Sequence, residues 1–240
     1  MTNDGAEHVD AGALRRVLEQ FEPSDAPGDV VAALHGVCAA TAELLHIDGS
    51  GILLVDEGRV QRSTAASDAG GRLLEIHQEA VGEGPCVDAL MYDRLVATKD
   101  VCVDERWPRL GYLMADTEVT AILGAPIHVG GQAVGSLNVY RSEPYEWDDS
   151  DIVAIRSFAD IAGHLLSLAL LARSKDRIVE QLQHALENRV NIERAVGLLM
   201  GRHRLAAVDA FERLRQRARA EQRKVADVAA EVLEGSSPEL

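Results

Sequence analysis

The sequence predicts a two-part protein: an α/β domain with helices packed on an antiparallel sheet, joined by a long helix to an all-α bundle of three short helices. Three observations lead there. Strand-like runs and glycine turns fall between residues 50 and 140. No proline lies between Pro144 and Pro238, so the last third carries no obligate helix breaker. Charge divides along the chain as well: residues 1–173 hold 12 Lys and Arg against 28 Asp and Glu, a balance of −16, whereas 174–240 hold 12 against 11. Such asymmetry suggests two domains with different partners.

The elements follow in order. Residues 1–28 read as a polar tail with a short amphipathic helix, whose stripe is Leu14, Val17, Leu18 and Phe21 and which Pro23 and Pro27-Gly28 end. The first domain is expected over 29–172. It opens with a helix from about Asp29 to His46, with Val30, Leu34, Val37, Ala40, Thr41 and Leu44 on one face. Gly51-Ile-Leu-Leu-Val55 reads as a strand, Asp56-Glu57-Gly58 as a turn, and 59–66 as a second strand. Helical spacing returns in Leu73, Leu74, Ile76, His77 and Ala80. Ala125-Pro-Ile-His-Val129 and 133–140 flank Gly130-Gly131, a hairpin closed by residues that adopt positive φ. Asp148 then caps a long helix, with Asp151 at its positive dipole end.

Beyond it, Leu171, Lys175, Ile178, Leu182, Ala185, Arg189, Ile192, Val196 and Leu199 keep heptad spacing. That suits a coiled-coil-like seam between two copies around 165–190; one long amphipathic helix lying on its own domain has the same pattern. The second domain, 173–240, continues with helices from Ala207 to Glu221 and from Lys224 to Leu233. Their apolar stripes are Val208, Phe211, Leu214 and Ala218, then Val225, Val228, Ala229 and Val232.

Several classes of chemistry are not expected. Cys38, Cys86 and Cys102 form no CxxC pair and no zinc-ligand spacing. Gly82-x-Gly84 and Gly130-Gly131 match neither phosphate-loop nor dinucleotide patterns. No catalytic triad or paired carboxylate stands out, so no enzyme, metal or cofactor is expected. The N-terminus lacks the basic-then-apolar order of a secretory signal, and no apolar run approaches the roughly 18–20 residues of a membrane span. The chain is read as cytoplasmic.

The stretch Leu182-Gln-His-Ala-Leu-Glu-Asn-Arg-Val-Asn-Ile-Glu-Arg-Ala-Val-Gly-Leu-Leu-Met200 resembles the ANTAR domain, as do Ala210-Phe-Glu-Arg-Leu-Arg-Gln-Arg-Ala218 and Arg223-Lys-Val-Ala-Asp-Val-Ala229. The resemblance covers about 181–233. It implies a three-helix module that binds paired RNA hairpins in nascent transcripts, keeps a terminator from forming and permits readthrough. Val196, Gly201 and Ala206-Ala207 depart from the family pattern. Residues 187–224 hold 10 Lys and Arg against 5 Asp and Glu, and arginine offers both a phosphate fork and a stacking plane. Arg189, Arg202, Arg215, Arg219, Arg223 and Lys224 are therefore the candidate RNA contacts. Ala195 and Gly197 are small enough to admit an RNA loop, or serve close helix packing instead; Phe211 is read as core.

Residues 30–172 resemble a GAF domain. The likeness is carried by Gly82-Glu-Gly-Pro-Cys-Val-Asp-Ala-Leu90, by the hairpin around Gly130-Gly131 and by Trp147-Asp-x-x-D151. GAF domains bind varied small molecules or act as dimerising signal modules. A ligand pocket is expected between the sheet and a cover spanning 82–118, with Cys86, Trp107, Tyr112, Met114 and Glu118 as candidate lining. The partners expected are RNA, a small molecule and a second copy of the chain, with no membrane. Two other readings stay open: a GAF-fold thiol enzyme akin to free methionine sulfoxide reductases, and a DNA-binding helix-turn-helix regulator.

Overall fold

A computed structural model describes residues 30–54, 63–171, 177–221 and 223–235. The chain separates into two compact units, with the break between 174 and 175. The expected N-terminal helix and the joining stretch 172–176 lie outside the described residues.

The first unit is a five-stranded sheet of order β2-β1-β5-β4-β3. Its elements are α1 (Val30–Leu45), β1 (Gly49–Leu54), β2 (Ser63–Ala66), α2 (Ala69–Val81), α3 (Pro85–Tyr92), β3 (Val96–Thr98), α4 (Pro108–Met114), β4 (Ala121–Val129), β5 (Gln132–Arg141) and α5 (Asp149–Leu171). The pairs β1–β2, β3–β4 and β4–β5 run antiparallel. Gly130 and Gly131 close the β4–β5 hairpin with φ of 59° and 80°, the values a tight turn there requires. A bulge between Ile127 and His128 shifts the register beside it. Helices α1 and α5 pack on each other and on the sheet, while α2, α3 and α4 form a second group on it.

Helix α5 begins as its sequence dictates. Asp148 Oδ1 accepts hydrogen bonds from the backbone amides of Ser150 and Asp151, and Asp151 Oδ2 accepts one from Asp148 N in return. Its buried face is Ile155, Ala159, Ala162, Gly163 and Leu166. A side chain at Gly163 would strike the His128 carbonyl oxygen, so glycine sets how closely α5 approaches β4. Val153, Ile161, Leu168 and Leu171 remain exposed. The sequence expectation of no span-length apolar run is corrected here: α5 contains an 18-residue window of mean hydropathy 1.4, long and apolar enough to cross a membrane. Only 28% of that window is buried, and the buried face packs on β4 and α1.

Helix α2 turns a different face inward from the one its apolar spacing suggested. Gly71, Leu74, Glu75 and Gln78 are buried, while Leu73 and Ile76 are exposed. The cause is Gly71: its missing side chain lets α2 press against the Ser50 carbonyl oxygen, and that contact fixes which stripe faces the sheet.

The second unit comprises α6 (Arg177–His203), α7 (Ala207–Ala220) and α8 (Val225–Leu233), close to the predicted bounds. Ala195, Leu199, Ala210, Leu214, Ala218, Val228, Ala229 and Val232 form its core, with Ile192 and Val196 packed against it. These last heptad positions, Ile192, Val196 and Leu199, thus serve the bundle itself. Phe211 is buried as expected, but Val208 is exposed and Ala210 takes its place. Neither Ala206 nor Lys224 gives its helix a side-chain cap.

Candidate functional site

In the sheet domain the Gly82–Cys86 stretch links α2 to α3. Gly82 ends α2 in the left-handed conformation, φ 64°, and its N–H bonds the Gln78 carbonyl. Pro85 occupies the first turn of α3, where its missing N–H costs nothing. Glu83 folds away from solvent, and its Oε1 accepts from the backbone amides of Arg109, at 2.7 Å, and Leu110, at 3.1 Å. A carboxylate thereby caps the positive end of α4. Trp107 Nε1 donates to Asp88 Oδ2 at 3.0 Å, tying α4 to α3 a second time.

Of the candidate pocket residues, Cys86, Trp107 and Met114 are buried. Trp107 and Met114 pack with Leu74, Val101, Leu110, Ile122 and Tyr140 into one apolar cluster. Tyr112 and Glu118 do not join it: Tyr112 is 83% exposed and Glu118 also faces solvent. The reason for Tyr112 is helical phase, since Leu110, Gly111 and Met114 are the buried residues of α4. A cleft of about 290 Å³ lies elsewhere, lined in part by Asp93, Arg94, His128, Arg156 and Asp160.

Beside the apolar cluster sits a polar one that the sequence reading missed. Glu75, Gln78, Ser136 and Asn138 have no exposure, nor does Cys86. Asn138 Nδ2 donates to Glu75 Oε1 at 2.7 Å and to Ser136 Oγ at 3.2 Å. Cys86 Sγ and Ser136 Oγ are 2.8 Å apart, and Cys86 N donates to Gln78 Oε1 at 2.7 Å. Burial pushes the Glu75 carboxyl up to about 7, against hydrogen bonds from Cys86 and Asn138 that pull it down. Burial, with Glu75 nearby, pushes the Cys86 thiol well above its ordinary value. Cys38 is likewise pushed up by burial, to about 12. Both thiols stay protonated near neutral pH, the opposite of what a cysteine nucleophile needs. Among the described residues no group of His, Cys, Asp and Glu is placed to hold a metal ion.

In the bundle the candidate RNA contacts divide. Arg202 and Arg223 are exposed; Arg189, Arg219 and Lys224 are half-buried. Arg215 is buried, 3.8 Å from Glu212, and Ala195 lies wholly within the core. Arg215 does not present its side chain at the surface, which corrects the sequence expectation, while Ala195 takes the close helix packing that the sequence leaves as its alternative; both fall on helix faces that turn toward the bundle interior. Gly197 is exposed with open space where a side chain would be. Arg189 pairs with Glu193 at 3.1 Å. Arg217 and Arg223 share a lattice with Glu221 and Glu231, its four ion pairs spanning 2.6–3.0 Å. Arg219, Arg223 and Lys224 gather at the far end of α7, about 20 Å along that helix from the turn after Arg202.

The family model of the GAF domain matches residues 29–167, and that of the ANTAR domain matches residues 180–233. A search of curated proteins finds no match. Among solved structures, the GAF domain of an Acinetobacter phosphoenolpyruvate-protein phosphotransferase is 16% identical, with a TM-score of 0.52 over 73% of this chain and 100% of that one. The corresponding domain from Coxiella burnetii is 17% identical, with a TM-score of 0.52 over 68% and 95%. A type II free methionine-R-sulfoxide reductase from Thermoplasma acidophilum is 18% identical, with a TM-score of 0.47 over 57% and 91%. These are likenesses of fold and carry no chemistry with them.

Proposed function

The chain belongs to the GAF domain family and carries a C-terminal ANTAR domain, and from that premise we propose that it is a signal-responsive transcription antitermination regulator. The ANTAR part, 173–240, binds paired stem-loops in nascent RNA and keeps a terminator from forming. The GAF part, 29–172, senses a small molecule or another signal. The protein acts in the cytoplasm, as a homodimer, without catalysing a reaction.

The observation that carries this reading is a set of exposed arginines on a nearly neutral three-helix bundle that ends an acidic chain. The whole chain has a net charge of −15, yet Arg202, Arg219, Arg223 and Lys224 reach the bundle surface together with Arg194, Arg204 and Arg213. Phosphate neutralisation favours such a surface. Arg189 completes the set, and Gly197 leaves backbone open to a looped base. The exposed apolar residues Val153, Ile161, Leu168 and Leu171 on α5 support dimerisation, since a second copy would cover them. A signal in the GAF domain would reach the RNA-binding part by altering α5 and the stretch after it.

The test is binding of the full chain to a dual-hairpin RNA, with a single hairpin and duplex DNA as competitors, across a range of salt. Preference for the dual hairpin, with affinity falling steeply as salt rises, supports the reading. Equal competition by duplex DNA turns it toward a helix-turn-helix regulator. Absence of RNA binding at low salt removes it.

A further inference from the structure

We propose that the buried cluster of Glu75, Gln78 and Asn138 is the recognition end of the ligand site in the sheet domain, and that it takes a primary carboxamide or a group with the same hydrogen-bonding pattern. This rests on the reading that the GAF domain senses a small molecule, and names what that molecule presents.

Three atoms of the cluster, Glu75 Oε2, Gln78 Nε2 and Asn138 Oδ1, are buried with no hydrogen-bond partner. Buried polar groups are nearly always paired, because each one left alone forfeits its hydration without compensation. Three in one cluster mark a place built for something that completes them. The atoms belong together. Glu75 Oε1 and Asn138 Nδ2 are 2.7 Å apart, so the other polar atom of each head group lies only two covalent bonds from that contact. Gln78 follows Glu75 by one helical turn on the buried face of α2. Its amide is held by Cys86 N at 2.7 Å, and Cys86 Sγ lies 2.8 Å from Ser136 Oγ, the hydroxyl that Asn138 Nδ2 also reaches.

Glycines make the room. A Cβ at Gly51 would stand 3.0 Å from Glu75 Oε1, and one at Gly124 2.7 Å from Asn138 Oδ1. One at Gly84 would strike the Gln78 amide outright. Each polar side chain thus lies against a different glycine of the surrounding strands and turn.

The atoms also set the chemistry. With Glu75 ionised, as it is above its raised titration range near 7, two oxygens call for donors and one amide nitrogen calls for an acceptor. A primary carboxamide supplies two N–H donors and one carbonyl. An amidinium supplies the donors and leaves Gln78 unanswered. A carboxylate or phosphate meets the Glu75 carboxyl with no lysine or arginine among the cluster residues to offset it.

Acetamide, acetamidinium and acetate share nearly one shape and differ in this pattern, so they are the probes. Each is titrated, above about pH 7 where Glu75 is ionised, into isotope-labelled full-length protein while the side-chain amide signals of Gln78 and Asn138 are followed by NMR. Acetamide is expected to move both signals saturably, acetamidinium to bind more weakly, and acetate to leave them in place. Glu75→Gln keeps the shape and turns an acceptor into a donor; it should weaken acetamide binding by about tenfold or more. Binding by acetate, acetamidinium as tight as acetamide, or no shift with any probe overturns the proposal, and these wild-type titrations decide it without the variant. A thermal-stabilisation screen of carboxamide-bearing, acidic and phosphorylated metabolites separates the two readings. Stabilisation with both amide signals unmoved keeps the sensing role and removes the carboxamide. Acetamide binding with no metabolite stabilising the protein keeps the site and removes the sensing role.

Discussion

Asn138 and Glu75, 63 residues apart in the chain, meet through an Nδ2–H···Oε1 hydrogen bond of 2.7 Å in an interior closed to solvent. The bond joins the central strand β5 to the helix α2 that covers it. It also ties the fold's stability to whether one carboxyl holds a proton.

Stability should therefore fall as pH rises from about 4.5 toward neutrality. The folded Glu75 carboxyl titrates at about 7, against an ordinary value of 4.5. The folded state keeps a proton that the unfolded state gives up. Its contribution is fully present below the ordinary value and is lost as pH climbs to about 7. The lost stability is on the order of 3 kcal/mol at most. Urea midpoints measured across this window should decline less in Glu75→Gln than in the parent; parallel curves would contradict the assignment.

Glu83→Ala should destabilise the sheet domain by about 2 kcal/mol, the scale of hydrogen bonds to a charged acceptor. The damage should be local first. Amide hydrogen exchange at Arg109 and Leu110 should quicken more than that along β4, and uniform change would speak for a global effect instead.

Two changes in the bundle should stabilise it. Gly197 lies within α6 with nothing near its missing side chain, so Gly197→Ala should gain up to about 1 kcal/mol. Arg204 adopts φ of 54°, a left-handed turn that glycine takes without strain, so Arg204→Gly should gain a similar amount. If RNA approaches the backbone at Gly197, the alanine variant binds RNA more weakly while melting higher. Unchanged affinity would place the RNA elsewhere.

The arginines should sort by burial. Arg202→Ala and Lys224→Ala should leave stability within about 0.5 kcal/mol and lower the salt dependence of RNA binding by about one counterion each. Arg215→Ala should cost stability above all, because its side chain is buried in the bundle. Melting curves run beside the binding titrations separate the two effects.

Much of the framework was legible because it rests on local chemistry. The glycine pair of the hairpin, the Asp148 cap, the phase of α1 and the bounds of the bundle helices follow from turn preference and apolar spacing. The face of α2 was not legible: Leu73 and Ile76 look like core, yet a close approach at Gly71 rotates Glu75 and Gln78 inward instead. Asn138 and Ser136 likewise stand in an apolar strand as two polar letters, and only their distant partners on α2 and α3 give them meaning. Arg215 misled for the opposite reason, since charge suggests exposure and the helix phase decides otherwise. In the cover, Tyr112 stands in a segment expected to line a pocket, but the phase of α4 turns Leu110, Gly111 and Met114 inward and leaves it exposed.

The string from Gly82 to Cys86 spends most of its letters on carpentry: a helix stop, a clasp for the neighbouring helix, a clearance and a helix start. Only Gly84 and Cys86 touch the buried polar cluster. Chains that inherit these five letters would inherit the joinery, and could still differ in what their interiors bind.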